Sequence, residues 1–233
     1  MRKRSSFAHL SDTEFEQHLA QSRYGDFELT DAIRPASDHS NIPTEGWRAD
    51  IYQEKTDDPA LPVLLAAASR EKLFDLFMDL LDPLGDEVDV VLETSHAQKE
   101  GDGGAHKDLY REEIDLPILC STLYDYEDLL VNDGCTGIAV FNPRTREEIQ
   151  FDAHKILMIY AVAREKYEKI LAAHGIPHTQ DMTLITEGEH IHTSDEEHKE
   201  KFDQLCTKLG MDYTSKPPDD DIDNLMDRLT YGE

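Results

Sequence analysis

The chain reads as an α+β protein, with an antiparallel or mixed sheet, helices mainly on one face, an N-terminal extension and C-terminal helices. Three observations predict this. The hydrophobic patterns between residues 87 and 186 run strand, helix, strand, strand, helix, strand. Over residues 87–94 the side chains alternate: Val88, Val90, Leu92 and Thr94 point one way, and Glu87, Asp89, Val91 and Glu93 the other. One face of the sheet is therefore expected to be wet and acidic, the pattern of a sheet sheltered by helices on one side only. Leu73, Phe74, Phe77, Leu80 and Leu81 recur at helical spacing, so residues 70–81 form an amphipathic helix.

The elements follow in order. Ser11 and Glu14 have capping-box spacing, with Leu10 and Phe15 at the staple positions, which opens a helix over 12–21. Residues 23–45, with Gly25, Pro35 and Pro43, lack periodicity and form a linker or an arm laid along the body. Strands are expected at 48–53, entered by Trp47, and at 62–67. A glycine-rich loop covers 101–105, and a helix with Leu119, Leu123, Tyr126 and Leu130 on its stripe runs over 117–132, with Gly134 placed as its cap. Residues 137–141 and 148–152 form a hairpin, residues 155–161 a central strand, 164–173 a helix and 182–186 a further strand. Ser194 and Glu197 are spaced as a second capping box, before a stripe of Phe202, Leu205, Cys206 and Leu209 that stops at Gly210. Domain boundaries are expected at 1–45 for the N-terminal helix and arm, 46–214 for one α+β domain, and 215–233 for an acidic tail with a short helix.

This order resembles the ferredoxin-like βαββαβ sandwich, in architecture alone. One feature sits badly with it: residues 137–141 are apolar on both faces, yet that sandwich would put them at an edge, so the strands at Trp47 and Pro62 are expected to extend the sheet. The fold hosts many unrelated functions and implies none of them.

Composition narrows the function classes. The net charge of −27 repels a phosphate backbone and argues against direct binding of nucleic acid; it suits a basic protein partner or a cation. No apolar run approaches the ~20 residues that cross a bilayer, and the basic first residues lead into polar sequence, so neither a membrane span nor a secretory signal is expected. Cys120, Cys135 and Cys206 form no CxxC pair and leave one thiol over, which places the chain in a reducing cytoplasm without a disulfide framework. P-loop, GxSxG and HExxH motifs are absent, and no catalytic residue is assigned.

Two functional expectations result. The first is a non-enzymatic binding or regulatory protein that self-associates or meets a protein partner. Its surface would be Glu87, Asp89, Val91 and Glu93 on the wet face, with the stripe Ile222, Leu225, Met226 and Leu229 in the acidic tail. No cofactor is expected on this reading. The second is a metal-binding protein or metal-dependent enzyme: in extended backbone His190 and His192 fall on one face and can share a divalent cation, with His198 as third ligand from the next helix. Cys135 is expected as a small buried side chain, and His96 and His154 as separate surface histidines rather than partners at a sheet end.

Overall fold

A computed structural model describes residues 5–53, 60–96 and 107–211. The expected tail helix with Ile222, Leu225, Met226 and Leu229 lies outside the described residues. Helix α1 spans Asp12–Ala20, opened by a complete Ser11/Glu14 capping box. Two short strands, β1 (Arg23–Tyr24) and β2 (Phe27–Glu28), pair with each other, and β3 (Ile33–Pro35) follows. The body then runs β4 (Gly46–Tyr52), β5 (Leu61–Ala67), α2 (Arg70–Leu81), β6 (Glu87–Thr94) and β7 (Lys107–Asp115). It continues with α3 (Leu116–Tyr124), α4 (Glu127–Asn132), β8 (Thr136–Asn142), β9 (Glu147–Phe151), β10 (Leu157–Tyr160), α5 (Glu165–Ala173), β11 (His190–His192) and α6 (Glu196–Lys208). Among the described residues no helix is long and apolar enough to cross a membrane.

Seven strands form one sheet in the order β4-β5-β10-β9-β8-β6-β7, each pair antiparallel. The α+β class therefore holds, while the four-stranded ferredoxin-like unit is not confirmed. Residues 182–186 form no strand; a 3₁₀ turn occupies Ile185–Glu187. Met182, Leu184 and Ile185 are apolar for another reason: they pack with Tyr24, Phe27, Leu29, Ala32 and Ile33 of the arm against Ala67 and Ile156. The strands at Trp47 and Pro62 do extend the sheet, but beside β10; β8 lies between β9 and β6, with Ile138 and Val140 in the main core on one face and Ala139 and Phe141 against Val91 and Tyr110 on the other. The predicted single helix at 117–132 breaks at Asp125 and Tyr126, whose amides turn back to Thr122 O (3.0 Å) and Leu123 O (2.9 Å).

Helices α2 to α6 and the inward sheet residues Leu64, Val88, Val90, Leu92, Val140, Ile149 and Leu157 make one core. The opposite face is not the open acidic surface the alternation suggested. Val91 is only 5% exposed, in a cluster with Ala139, Phe141 and half-buried Tyr110, and Asp89 is buried too. The docking surface expected around Val91 is corrected accordingly: cross-strand neighbours on β7 and β8 supply the apolar contacts a partner was meant to provide.

Asp89 is acidic because it holds a bulge. Between the pairs Val88↔Ile114 and Val90↔Arg111, β7 carries one extra residue, and Glu113 takes a positive φ of 54°. The Asp89 carboxylate accepts the Glu113 amide (2.8 Å) and the Tyr110 hydroxyl (2.9 Å). Asp89→Ala removes two hydrogen bonds to a buried carboxylate, so urea unfolding is expected to report a loss of ~1–3 kcal/mol, with Asp89→Asn retaining part of it.

Candidate metal centre

Strand β11 pairs antiparallel with β3 of the arm, in the register His190↔Pro35 and His192↔Ile33. Extended backbone puts both imidazoles on one side, their ring centroids 5.2 Å apart. The third ring beside them is His154, 5.1 Å from His190 and 4.7 Å from His192. One ring nitrogen from each lies within 4.8 Å of the others, and all three side chains are half-buried.

His154 comes from the tight turn between β9 and β10. Asp152 builds that turn: its Oδ1 accepts the amides of His154 (3.0 Å) and Ile156 (2.8 Å), and Lys155 sits at a φ of 62°. The other oxygen, Oδ2, lies 2.7 Å from His154 Nδ1. The two strand histidines are oriented by carbonyls, His190 Nδ1 donating to Gly188 O (2.9 Å) and His192 Nδ1 to Gly134 O (2.6 Å). A carbonyl only accepts, so in both rings the proton is on Nδ1 and the lone pair on Nε2. Asp152 favours the same tautomer in His154. Burial, together with the neighbouring His154 and His190, holds the His192 pKa below its ordinary value and favours the neutral ring.

Both orienting carbonyls belong to glycines in tight places. A Cβ on Gly134 would lie 2.2 Å from Ala32 O and 2.7 Å from Thr193 O; one on Gly188 would lie 2.4 Å from Asn41 Cβ. Gly134 N–H donates to Thr193 O and Thr193 N–H to Ala32 O, both at 2.8 Å, which sews arm, β11 and the β8 entry together. Gly134 stands just past the end of α4, as expected, but as a point of close backbone approach, while Asp133 caps the helix in extended geometry.

His198 is not brought to this group. Asp195, rather than Ser194, caps α6, accepting the His198 amide at 2.9 Å. The His198 ring lies 3.1 Å from Asp195 Oδ1 and 3.6 Å from Asp128 Oδ2. A cap one residue later turns the first helical turn toward α4. His96, expected at the surface, is buried with its Nε2 2.9 Å from Asp133 Oδ2, a close pairing rather than an aligned hydrogen bond. Cys135 is buried as expected and groups with these two. Asp133 is fully buried; burial alone would raise its pKa, but the close polar neighbours His96 and Ser194 and the Thr136 hydroxyl that donates to it outweigh burial and bring the carboxyl down to about 2.

The sequence left out His154 and Asp152 as site residues. A signal for both was present: Asp152-x-His154 has the same two-residue spacing as Gly188-x-His190, an acceptor followed by the ring it orients. Comparison with protein-family models, curated proteins and solved structures finds no match.

Proposed function

We propose that the chain is a metal-binding protein that holds a divalent first-row transition ion, zinc in the first instance, on Nε2 of His154, His190 and His192. The observation that carries this reading is that each Nδ1 already has a protein acceptor, two carbonyls and one carboxylate. Such outer partners fix the tautomer and ring orientation that ligation needs. Imidazoles suit zinc, copper, nickel and iron, and three neutral rings leave a fourth, open position. With zinc–nitrogen bonds of about 2.0–2.1 Å the nitrogens would stand ~3.3 Å apart, a contraction that small side-chain rotations supply.

Titration of chelator-stripped protein with zinc tests this. One equivalent is expected to bind, and saturation at ~100 times Kd to raise thermal stability by ~2.7 kcal/mol. His154→Ala and the double variant His190→Ala/His192→Ala are expected to lose affinity by roughly 100-fold or more, the cost of a ligand exceeding that of an outer partner. His198→Ala is expected to bind as the parent does. Negligible zinc in the parent, or equal affinity in the histidine variants, overturns the proposal.

A further inference from the structure

The Ser95 amide donates to Cys135 O at 3.0 Å, which holds the end of β6 against the turn between α4 and β8. That contact gathers three side chains the three-histidine site does not use: His96 just past β6, Asp133 at the end of α4 and Cys135 at the entry to β8. One ligand atom from each lies within 4.8 Å of the others, and all three residues are buried. The informative atom is His96 Nε2, on a side chain only 8% exposed. It stands 2.9 Å from Asp133 Oδ2, yet among the described residues it has no aligned hydrogen-bond partner. A proton on Nε2 is then a buried donor left unsatisfied; without that proton, a ring lone pair faces a carboxylate lone pair at close range. A cation held between the two atoms removes either cost.

The carboxylate is already set for such a role. Asp133 Oδ1 accepts the Cys135 amide (3.2 Å) and Oδ2 accepts the Thr136 hydroxyl (2.5 Å), so the side chain is fixed by its own turn while Oδ2 keeps a second lone pair. Hydrogen bonds of this kind orient carboxylates that bind metals. We infer that His96 Nε2, Asp133 Oδ2 and Cys135 Sγ form a second metal site, one that takes a thiolate-binding divalent ion of the zinc class and ties the end of β6 to the α4–β8 turn. The soft sulfur disfavours magnesium and calcium and suits zinc or cobalt. Binding releases the Cys135 thiol proton to solvent. With bonds of about 2.0–2.2 Å to nitrogen and oxygen and ~2.3 Å to sulfur, Nε2 and Oδ2 would stand ~3.3 Å apart and the sulfur ~3.6 Å from each, adjustments that side-chain rotation supplies. Burial of the whole group, with Asp133 at 0% exposure, suits a held ion and not a reacting thiol, which needs access to its substrate. This site shares no ligand with the three-histidine site, so each can fail without the other.

Cobalt titration of the full, chelator-stripped chain under a phosphine reductant separates them. A thiolate ligand gives cobalt an intense sulfur-to-metal charge-transfer band in the near ultraviolet, which three imidazoles cannot. The parent is expected to bind two equivalents, one of them with that band, and zinc is expected to bleach it. Cys135→Ser should abolish the band and keep one equivalent, while Cys120→Ser keeps both. His96→Ala should weaken the band-forming equivalent by roughly 100-fold or more, as expected for loss of a ligand. The double variant His190→Ala/His192→Ala should retain the band with Kd within about threefold. No band in the folded parent, or a band that survives both Cys135→Ser and His96→Ala, overturns this inference. One equivalent without a band leaves the three-histidine reading standing alone, and one equivalent with a band that the double histidine variant retains overturns that reading and supports this one.

Discussion

Gly134→Ala is expected to unfold about 10 °C below the parent chain, the largest effect of a single methyl anywhere among the described glycines. The added carbon would sit 2.2 Å from Ala32 O and 2.7 Å from Thr193 O, and both obstacles are backbone. No rotamer change relieves such a clash; the arm or β11 must move. Movement breaks the Gly134–Thr193 and Thr193–Ala32 bonds and carries Gly134 O away from His192. Overpacking of this severity costs ~3 kcal/mol or more, and a chain of this size loses ~2–4 °C per kcal/mol. Zinc affinity should fall with it, roughly tenfold or more, because an orienting acceptor is lost. Gly25→Ala is the control: its φ of 64° strains an L-residue but nothing lies within 4 Å of the new carbon, so the loss should stay near ~1 kcal/mol. A Gly134→Ala melting point within about 2 °C of the parent would show that the arm gives way freely.

The second large effect is a fall in stability between pH 5 and pH 8, measured with chelator present. Glu148 is 2% exposed, with one oxygen accepting from Gln150 and the other without a hydrogen-bond partner, and burial raises its carboxyl to about 7. Glu93 reaches about 7 through burial, then through Asp108, Asp152 and Glu148. In the unfolded chain both titrate near 4.5. The folded state therefore holds more protons between these limits, and stability falls as pH rises through 7. A displacement of this size corresponds to ~3 kcal/mol for each group. Asp133 works in the opposite sense and in another range: its carboxyl, at about 2, contributes stability that disappears only as pH drops below ~4. The maximum is thus expected near pH 5. Glu148→Gln keeps the shape and the Gln150 contact without a titratable proton, so it should flatten the slope and exceed the parent at pH 8. A parent curve level from pH 5 to 8 would refute the assignment.

Much of the fold was legible where period and burial agree. Residues 70–81 and 87–94 were bounded correctly because their apolar residues repeat at 3.6 and 2 without interruption. Strand β7 was missed because its anchors, Leu109 and Ile114, are five apart and out of phase; the extra residue at Glu113 restores them to one face, and nothing in the sequence announces a bulge. Residues 182–186 were read as strand because an apolar run has no inherent period, and here it caps the arm instead of joining the sheet. The acidic alternation of β6 was read as solvent exposure, although Asp89 is acidic for its bulge and Glu93 lies over a glycine. At the site, the His190 and His192 pair follows from strand period alone. His154 and Gly134 do not, since their proximity is created by the pairing of β11 with β3 and by the order of β8, β9 and β10.

The β3–β11 ribbon has a consequence for how the protein is made. Ile33–Pro35 leaves the ribosome more than 150 residues before the strand that completes it. At ~5–20 residues per second the early segment waits roughly ten to thirty seconds without its mate. The two strand imidazoles cannot be set in register with the arm until residues 190–192 have emerged, so loading of an ion would follow synthesis of every strand of the large sheet, the last of which is Leu157–Tyr160.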